Sequence, residues 1–390
     1  MRVSFSSILT LALGSTVVPQ VLAWGAAGHE IVATIAQIHL HPSVLPTLCY
    51  ILNYNGTCHL APVAAWADKI RYLPQFRWTA PLHYIGAVDD YPSETCAFPG
   101  ERGWEGKNDI NVLNGIRNVT GVLEDWVDLR RAGVTTASDN AGAQEALKFL
   151  IHFLGDMHMP LHLTGRDRGG NGDKVTFDGR VTNLHSVWDG LLIAQRLRTI
   201  PSNYTRPLPL NNVERHLRGT IYDPYVRRLI WEGVLGKYHD ELQSWLTCPS
   251  TDAATPVTQS MWQQVVSLFI GQQSKDGGLG TDDEVLCPYY WAKPIHALNC
   301  EIAFPKELDE PPYSHALSID DTNQFDESAS WRKKIQYLEL DTPKYAGVIR
   351  EEWIVEKLLI QGGIRLAAVL NWLFIDSEEN TKRELLVNLQ

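Results

Sequence analysis

The sequence predicts a mainly α-helical protein with at most a small β-hairpin. Three observations carry this. The run "NAGAQEALKFLIHFLGDMHMPLHL", residues 140–163, has the length and composition of a buried helix. Residues 29–40 place Ile31, Val32, Ile35, Ala36 and Ile38 on one broad helical face. Strand signals are few, with one short candidate around 173–182 bounded by turn residues.

The elements follow in order. Residues 1–23, "MRVSFSSILTLALGSTVVPQVLA", set Arg2 before an apolar run and end on small or β-branched residues. This is the pattern of a secretory signal peptide cut after Ala23. "APVAAWADKIRYL" has helical composition after Pro62. The 140–163 helix has Asn140 as a candidate cap and Pro160 near its end. "GRDRGGNGDKVTFDGR" reads as loop, short strand and turn. Its glycines do not open a helix after a strand, which favours a turn over a phosphate-binding loop. "NLHSVWDGLLIAQRL" reads as a further helix, and 211–247 as helical and amphipathic. Residues 249–286 and 305–345 are polar connections rich in Pro, Gly, Ser and Asp. "WIVEKLLIQGGIRLAAVLNWLF" reads as a closing helix interrupted or kinked near Gly362–Gly363. Residues 376–390 form a polar tail expected to be mobile.

Composition narrows the function. After the signal, no segment is apolar and long enough to span a bilayer, so the mature chain is expected to be soluble and secreted. Six cysteines lie outside the signal and none forms a CxxC pair. In an oxidising compartment that favours disulfides over a cysteine zinc site, with 15 pairings open. Sequons at Asn55, Asn118 and Asn203 suggest glycosylated surface loops. The net charge of −11 disfavours a basic patch as the main source of affinity for a polyanion. Such a substrate would need local positive charge, for example from metal ions.

The chemistry concentrates between residues 152 and 189. His152 and Asp156 are four apart on the strongest helix, His185 and Asp189 four apart on the next, and His162 lies between the pairs. At that spacing two side chains share a helix face and can hold one ion. Imidazole and carboxylate without thiolate is the mix expected for hydrolytic zinc. A lone HxxxD pair is more often a histidine bonded to a surface carboxylate. Two pairs with an intervening histidine, in the apolar context "LKFLIHFLGDM", shift the reading to a metal, because burying those groups unpaired is costly. "HEIVA" is not a zinc-protease HExxH, since residue 33 is Ala33, and there is no P-loop, GxSxG or dinucleotide fingerprint.

Seven segments, "WGAAGHE", "AWAD" with Arg71, "LHYI", "FLIHFLGDMHMPLH", "GGNGDKVTFDG", "NLHSVWD" and "GIRLAAVLN", stand in one order along the chain. In that order the sequence resembles the S1/P1 nuclease family, the secreted zinc-dependent single-strand nucleases of fungi and plants. The resemblance runs from Trp24 to about Leu373 and implies a nuclease domain over 24–375. Its fold would be a single helical domain of the phospholipase C/P1 nuclease type around three Zn²⁺. It implies one zinc on Asp68, His83, His152 and Asp156. A close neighbour would take His29, a bridging Asp156, and the α-amine and carbonyl of Trp24. The third would take His162, His185 and Asp189. Cleavage after Ala23 would turn the Trp24 nitrogen from an amide into a coordinating amine.

The implied reaction is in-line hydrolysis by water made nucleophilic at the close pair, with the third zinc stabilising the leaving O3′. Asp68 and Arg71 are the candidate catalytic residues, with Arg71 neutralising the phosphate. Tyr84 is the candidate base-stacking residue, and Asn183 a second candidate substrate contact. The sequence departs from the family at Gly86, where relatives often place an aspartate that bonds the base. The implied substrates are single-stranded DNA and RNA, cut to 5′-phosphate ends, and 3′-nucleotides, acted on by a monomer. Spacing together with the resemblance suggests Cys96 with Cys300, Cys49 with Cys58, and Cys248 with Cys287. Two other readings stand beside the nuclease: a zinc phospholipase C-like phosphodiesterase, and a non-catalytic secreted protein stabilised by zinc.

Overall fold

A computed structural model describes residues 25–54, 58–107, 109–201, 203–208, 214, 217–249, 282–314 and 336–375. The candidate signal peptide, Trp24, Asn55, the tail 376–390 and most of both polar connections lie outside these residues.

Two pairs of helices form the centre. Val112–Arg131 packs along Ala137–Asp156, and the N-terminal helix Ala26–Ile38 packs along the closing helix Ile354–Phe374. Val32 and Ile35 are fully buried at that second contact. Each such side chain contributes about 1.5–3 kcal/mol relative to exposure.

The closing helix is continuous from Ile354 to Phe374, so the expected kink at Gly362–Gly363 is absent. The two glycines serve close approach instead. A Cβ on Gly363 would overlap the Ile35 side chain, and one on Gly362 would press on Val32 and His158. Glycine as helix breaker and glycine as spacer look the same in a sequence.

The helix Ala137–Asp156 is capped by Thr136 rather than Asn140. The Thr136 hydroxyl accepts from the Asp139 N–H at 3.2 Å, and the Asp139 carboxylate accepts from the Thr136 N–H at 2.7 Å. Asn140 instead accepts from the Trp126 indole N–H at 2.9 Å, tying the helix to its neighbour. From Phe149 to Asp156 every residue is buried, so the last two turns are enclosed on all sides.

The expected hairpin forms from β1 (Lys174–Phe177) and β2 (Arg180–Asn183), with Lys174 opposite Asn183. It is not the whole sheet. A third strand, β3 (Leu338–Glu339), pairs parallel to β1 from within the stretch read as a polar connection. Two residues carry too little periodicity to be seen in sequence. Disulfides join Cys49 to Cys58, Cys96 to Cys300 and Cys248 to Cys287. Of the described sequons, Asn203 lies exposed in a loop. Asn118 is exposed on the helix Val112–Arg131, not in the loop expected of it. Among the described residues no helix is long and apolar enough to cross a membrane.

Candidate metal centre and cleft

Several elements converge on Asp156, at the end of its helix. His29 comes from the N-terminal helix, Asp68 from the short helix Trp66–Ile70, and His83 ends the 3-10 helix Pro74–His83. The His29 Nε2 lies 3.4 Å from Asp156 Oδ1, and its ring stacks on His152 with centroids 3.9 Å apart. The His83 Nδ1 is 2.9 Å and the His152 Nε2 3.2 Å from Asp156 Oδ2. Asp68 Oδ1 lies 3.7 Å from His152 Nε2 and 3.8 Å from His83 Nδ1. Gly155 permits this crowding, since a Cβ there would overlap the His29 ring.

A second group stands beside the first. His162 lies in the 3-10 turn Pro160–Leu163, and His185 and Asp189 lie at the start of one continuous helical run from Leu184 to Thr199, whose segment Val187–Leu191 is π-helical. His185 Nε2 is 3.0 Å and His162 Nε2 4.0 Å from the Asp189 carboxylate. His162 Nδ1 is 3.4 Å from Asp156 Oδ1, which links the two groups. The described chain starts at Gly25, whose N–H donates to the Asp189 carbonyl at 2.7 Å.

Backbone carbonyls orient three of the rings. The Nδ1 of His152, His162 and His185 faces the carbonyl of Ala64, His83 and Gly169 at 2.7, 2.6 and 2.7 Å. A ring that donates from Nδ1 presents the lone pair of Nε2. In each case Nε2 faces the carboxylates.

The electrostatics ask for a cation. Burial opposes charge on His152, yet Asp156 and Asp68 raise its pKa to about 9. Burial also works against the Asp156 carboxylate, but the rings of His152, His162 and His83 hold its pKa well below the usual range. For His83 and His162 burial dominates and lowers the pKa. Buried ring nitrogens of His29, His83 and His162, both oxygens of Asp68 and one of Asp156 have no hydrogen-bond partner. Such atoms are costly unless an ion takes them up. The donor set of nitrogen and carboxylate oxygen without thiolate fits a divalent cation of zinc type.

Above the ligands opens a cleft of about 390 Å³, lined by Arg71, His83, Tyr84, Glu105, His162, Arg168, Asn171 and His185 among others. Arg71 Nη1 is 3.3 Å from Asp68 Oδ1, and Tyr84 is 52 % exposed. The Asn183 Oδ1 accepts from the Ser186 N–H at 2.7 Å and caps the turn that carries His185.

Sequence reasoning missed Glu105, Arg168 and Asn171. The last two belong to "RDRGGNGD", which reads as a plain turn but forms one wall of the cleft. Four successive residues, Asp167 to Gly170, have φ between 47° and 76°, a left-handed path that delivers the Gly169 carbonyl to His185. The paired glycines were the available signal. Glu105 carries none, being a single acid in a loop. His158, two residues past Asp156, is no ligand here: its Nδ1 faces the Leu154 carbonyl and its Nε2 accepts from Arg365 at 2.8 Å.

Residues 24–375 match the family model for the S1/P1 Nuclease. Nuclease S1 of Aspergillus oryzae is 37% identical over 168 residues, 43% of this chain and 53% of its own length. Nuclease P1 of Penicillium citrinum is 39% identical over 166 residues, 43% of this chain and 57% of its own. These two matches span little more than half of each fungal protein. Endonuclease 1 of Arabidopsis thaliana is 26% identical over 378 residues, 95% of this chain and 94% of its own. The order of the ligand-bearing segments, their convergence on Asp156 and a family match over almost all of the chain lead to one assignment: this protein belongs to the S1/P1 nuclease family.

Proposed function

We propose that the protein is a secreted endonuclease that hydrolyses phosphodiester bonds of single-stranded DNA and RNA to 5′-phosphate ends and removes phosphate from 3′-nucleotides. The observation that carries the proposal is the buried nest of imidazole and carboxylate atoms lacking partners at the floor of a cleft. Three Zn²⁺ fit it best. One would be held by Asp68, His83, His152 and Asp156, a neighbour by His29, Asp156 and Trp24, and the third by His162, His185 and Asp189. Bound there, the ions supply Lewis acidity: an activated water, a neutralised phosphate and a stabilised leaving oxygen.

The protein's own groups do the positioning. Arg71 donates to a non-bridging phosphate oxygen, its guanidinium aimed by Asp68. Tyr84 supplies a ring face for an unpaired base. The described ligand side chains of the close group are no more than 1% exposed, so a phosphate must leave a duplex to reach them. That favours single strands. Three disulfides suit an oxidising compartment.

The test measures metal content of the purified protein together with cleavage of single- and double-stranded DNA. Three zinc per chain with preferential single-strand cleavage is expected. Fully loaded protein that cuts no nucleic acid would end the proposal. One feature favours a second reading. Trp78, Ile110 and Tyr84 give the neighbouring groove an exposed apolar rim, as a lipid phosphodiesterase would need. Hydrolysis of phosphatidylcholine in the same assay would replace the nuclease reading with that one.

A further inference from the structure

Beside the metal cleft lies a second groove of about 470 Å³, and the two share Tyr84 and Glu105. Tyr84 presents an aromatic surface at this boundary, and Trp78, 61 % exposed, a second one within the neighbouring groove. Glu105 is fixed to the same ledge, because its N–H donates to the Gly86 carbonyl at 2.8 Å.

Two glycines make room for the Glu105 carboxylate. A Cβ on Gly86 would lie 2.8 Å from its Oε2, and a Cβ on Gly165 would overlap the carboxylate outright. A side chain at 165 would evict it, and one at 86 would press on both the Gly165 backbone and the carboxylate. Among the described residues no hydrogen bond or ion pair occupies its oxygens. An acceptor-only group thus stands at the boundary of the two grooves, next to an exposed ring, with both oxygens available.

A base stacked on Tyr84 would turn its Watson–Crick edge toward such a neighbour. Of the common bases, guanine alone presents two adjacent N–H donors there, at N1 and N2, matching the two oxygens of a carboxylate. Adenine, cytosine and uracil or thymine offer one donor group beside acceptors, which a carboxylate repels. We propose that Glu105 is the specificity-determining residue of this cleft and selects guanine for the base stacked on Tyr84. The proposal rests on the nucleotide-binding reading above. It also bears on Gly86, where the resemblance leads one to expect an aspartate: the acid is supplied from a different segment, and Gly165 is what admits it.

The experiment is calorimetric titration of the zinc-loaded full chain with GMP, AMP, CMP and UMP as 5′-monophosphates, for the parent and for Glu105→Gln. Zinc content is measured on both. The parent should bind GMP about tenfold tighter than AMP, the scale of one bidentate contact. In Glu105→Gln the ratio should fall to near one, with zinc content retained. A parent without preference for GMP would overturn the proposal, as would a variant that weakens all four ligands equally. Cleavage of oligonucleotides containing a single G or a single A separates the two readings. Selective GMP binding without any cleavage would remove the nuclease reading and leave this one standing. Cleavage with no base discrimination, in binding or in rate, would remove this one alone.

Discussion

His152 and Asp156 stand on the last turns of a 20-residue helix, whereas His162 stands on a 3-10 turn, and His185 and Asp189 stand on the first turns of a helical run whose segment Val187–Leu191 is π-helical. His152 and Asp156 are braced by the packing of a long helix that is buried on every side there. The second group depends on irregular backbone, above all on the left-handed loop that carries the Gly169 carbonyl to His185. Regular structure fixes a site through many small contacts, and an irregular one through a few indispensable ones. His152 and Asp156 should therefore fail only when a ligand is removed, and the second group when its scaffold is touched.

Removing Asp156 should have the largest effect. Its carboxylate lies within 3.4 Å of the rings of His29, His83, His152 and His162. Asp156→Ala should cost about 3–5 kcal/mol of stability in the metal-free protein by stranding buried partners. It should also lower cleavage by about a thousandfold or more. Denaturant titration and single-strand cleavage rates check both effects.

Gly169→Ala tests the scaffold of the second group. Its φ of +63° and the nearby Leu161 carbonyl leave no room for a methyl group. Metal affinity at the second group should fall by about 10–100-fold while the first keeps its ions. Zinc analysis across a chelator series reads the difference. Equal loss from both groups would erase the contrast between them.

A pH effect follows from the same loop. Burial first, and then the neighbouring Asp167, push the Asp173 carboxyl up to about 7, with Arg166 offsetting only part. Between about pH 4 and 7 the unfolded chain has lost this proton and the folded chain has kept it. The contribution to stability therefore declines as pH rises through that window and stays low above it. Asp173→Asn should flatten the decline, seen as a smaller difference between melting temperatures at pH 4 and pH 8. The smallest effect belongs to Thr136→Ala, at the far end of the long helix. It should cost about 1 kcal/mol and leave metal content unchanged.

The legibility of the sequence divides along the same line. The HxxxD spacings identify both pairs, because a helix turns spacing into proximity. The apolar context of His152 marks it as buried. Nothing in the sequence indicates that the carbonyls of Ala64, His83 and Gly169 orient the rings, since every residue has a carbonyl and only the fold says where it points. Gly362–Gly363 is legible as unusual but not as close packing, for want of knowledge of Ile35 across the interface. Glu105 becomes meaningful only when Gly86 and Gly165 are seen to surround it.

The glycine contact between the first and last described helices has a temporal side. His29 rides on a helix whose buried face is covered by Ile354–Phe374, more than 300 residues later in the chain. A chain made from its N-terminus cannot seat that histidine until nearly all of it has emerged. The constellation is thus assembled last, although one of its members is made almost first. Under the proposed nuclease function, this order would keep the unfinished chain inert during its synthesis.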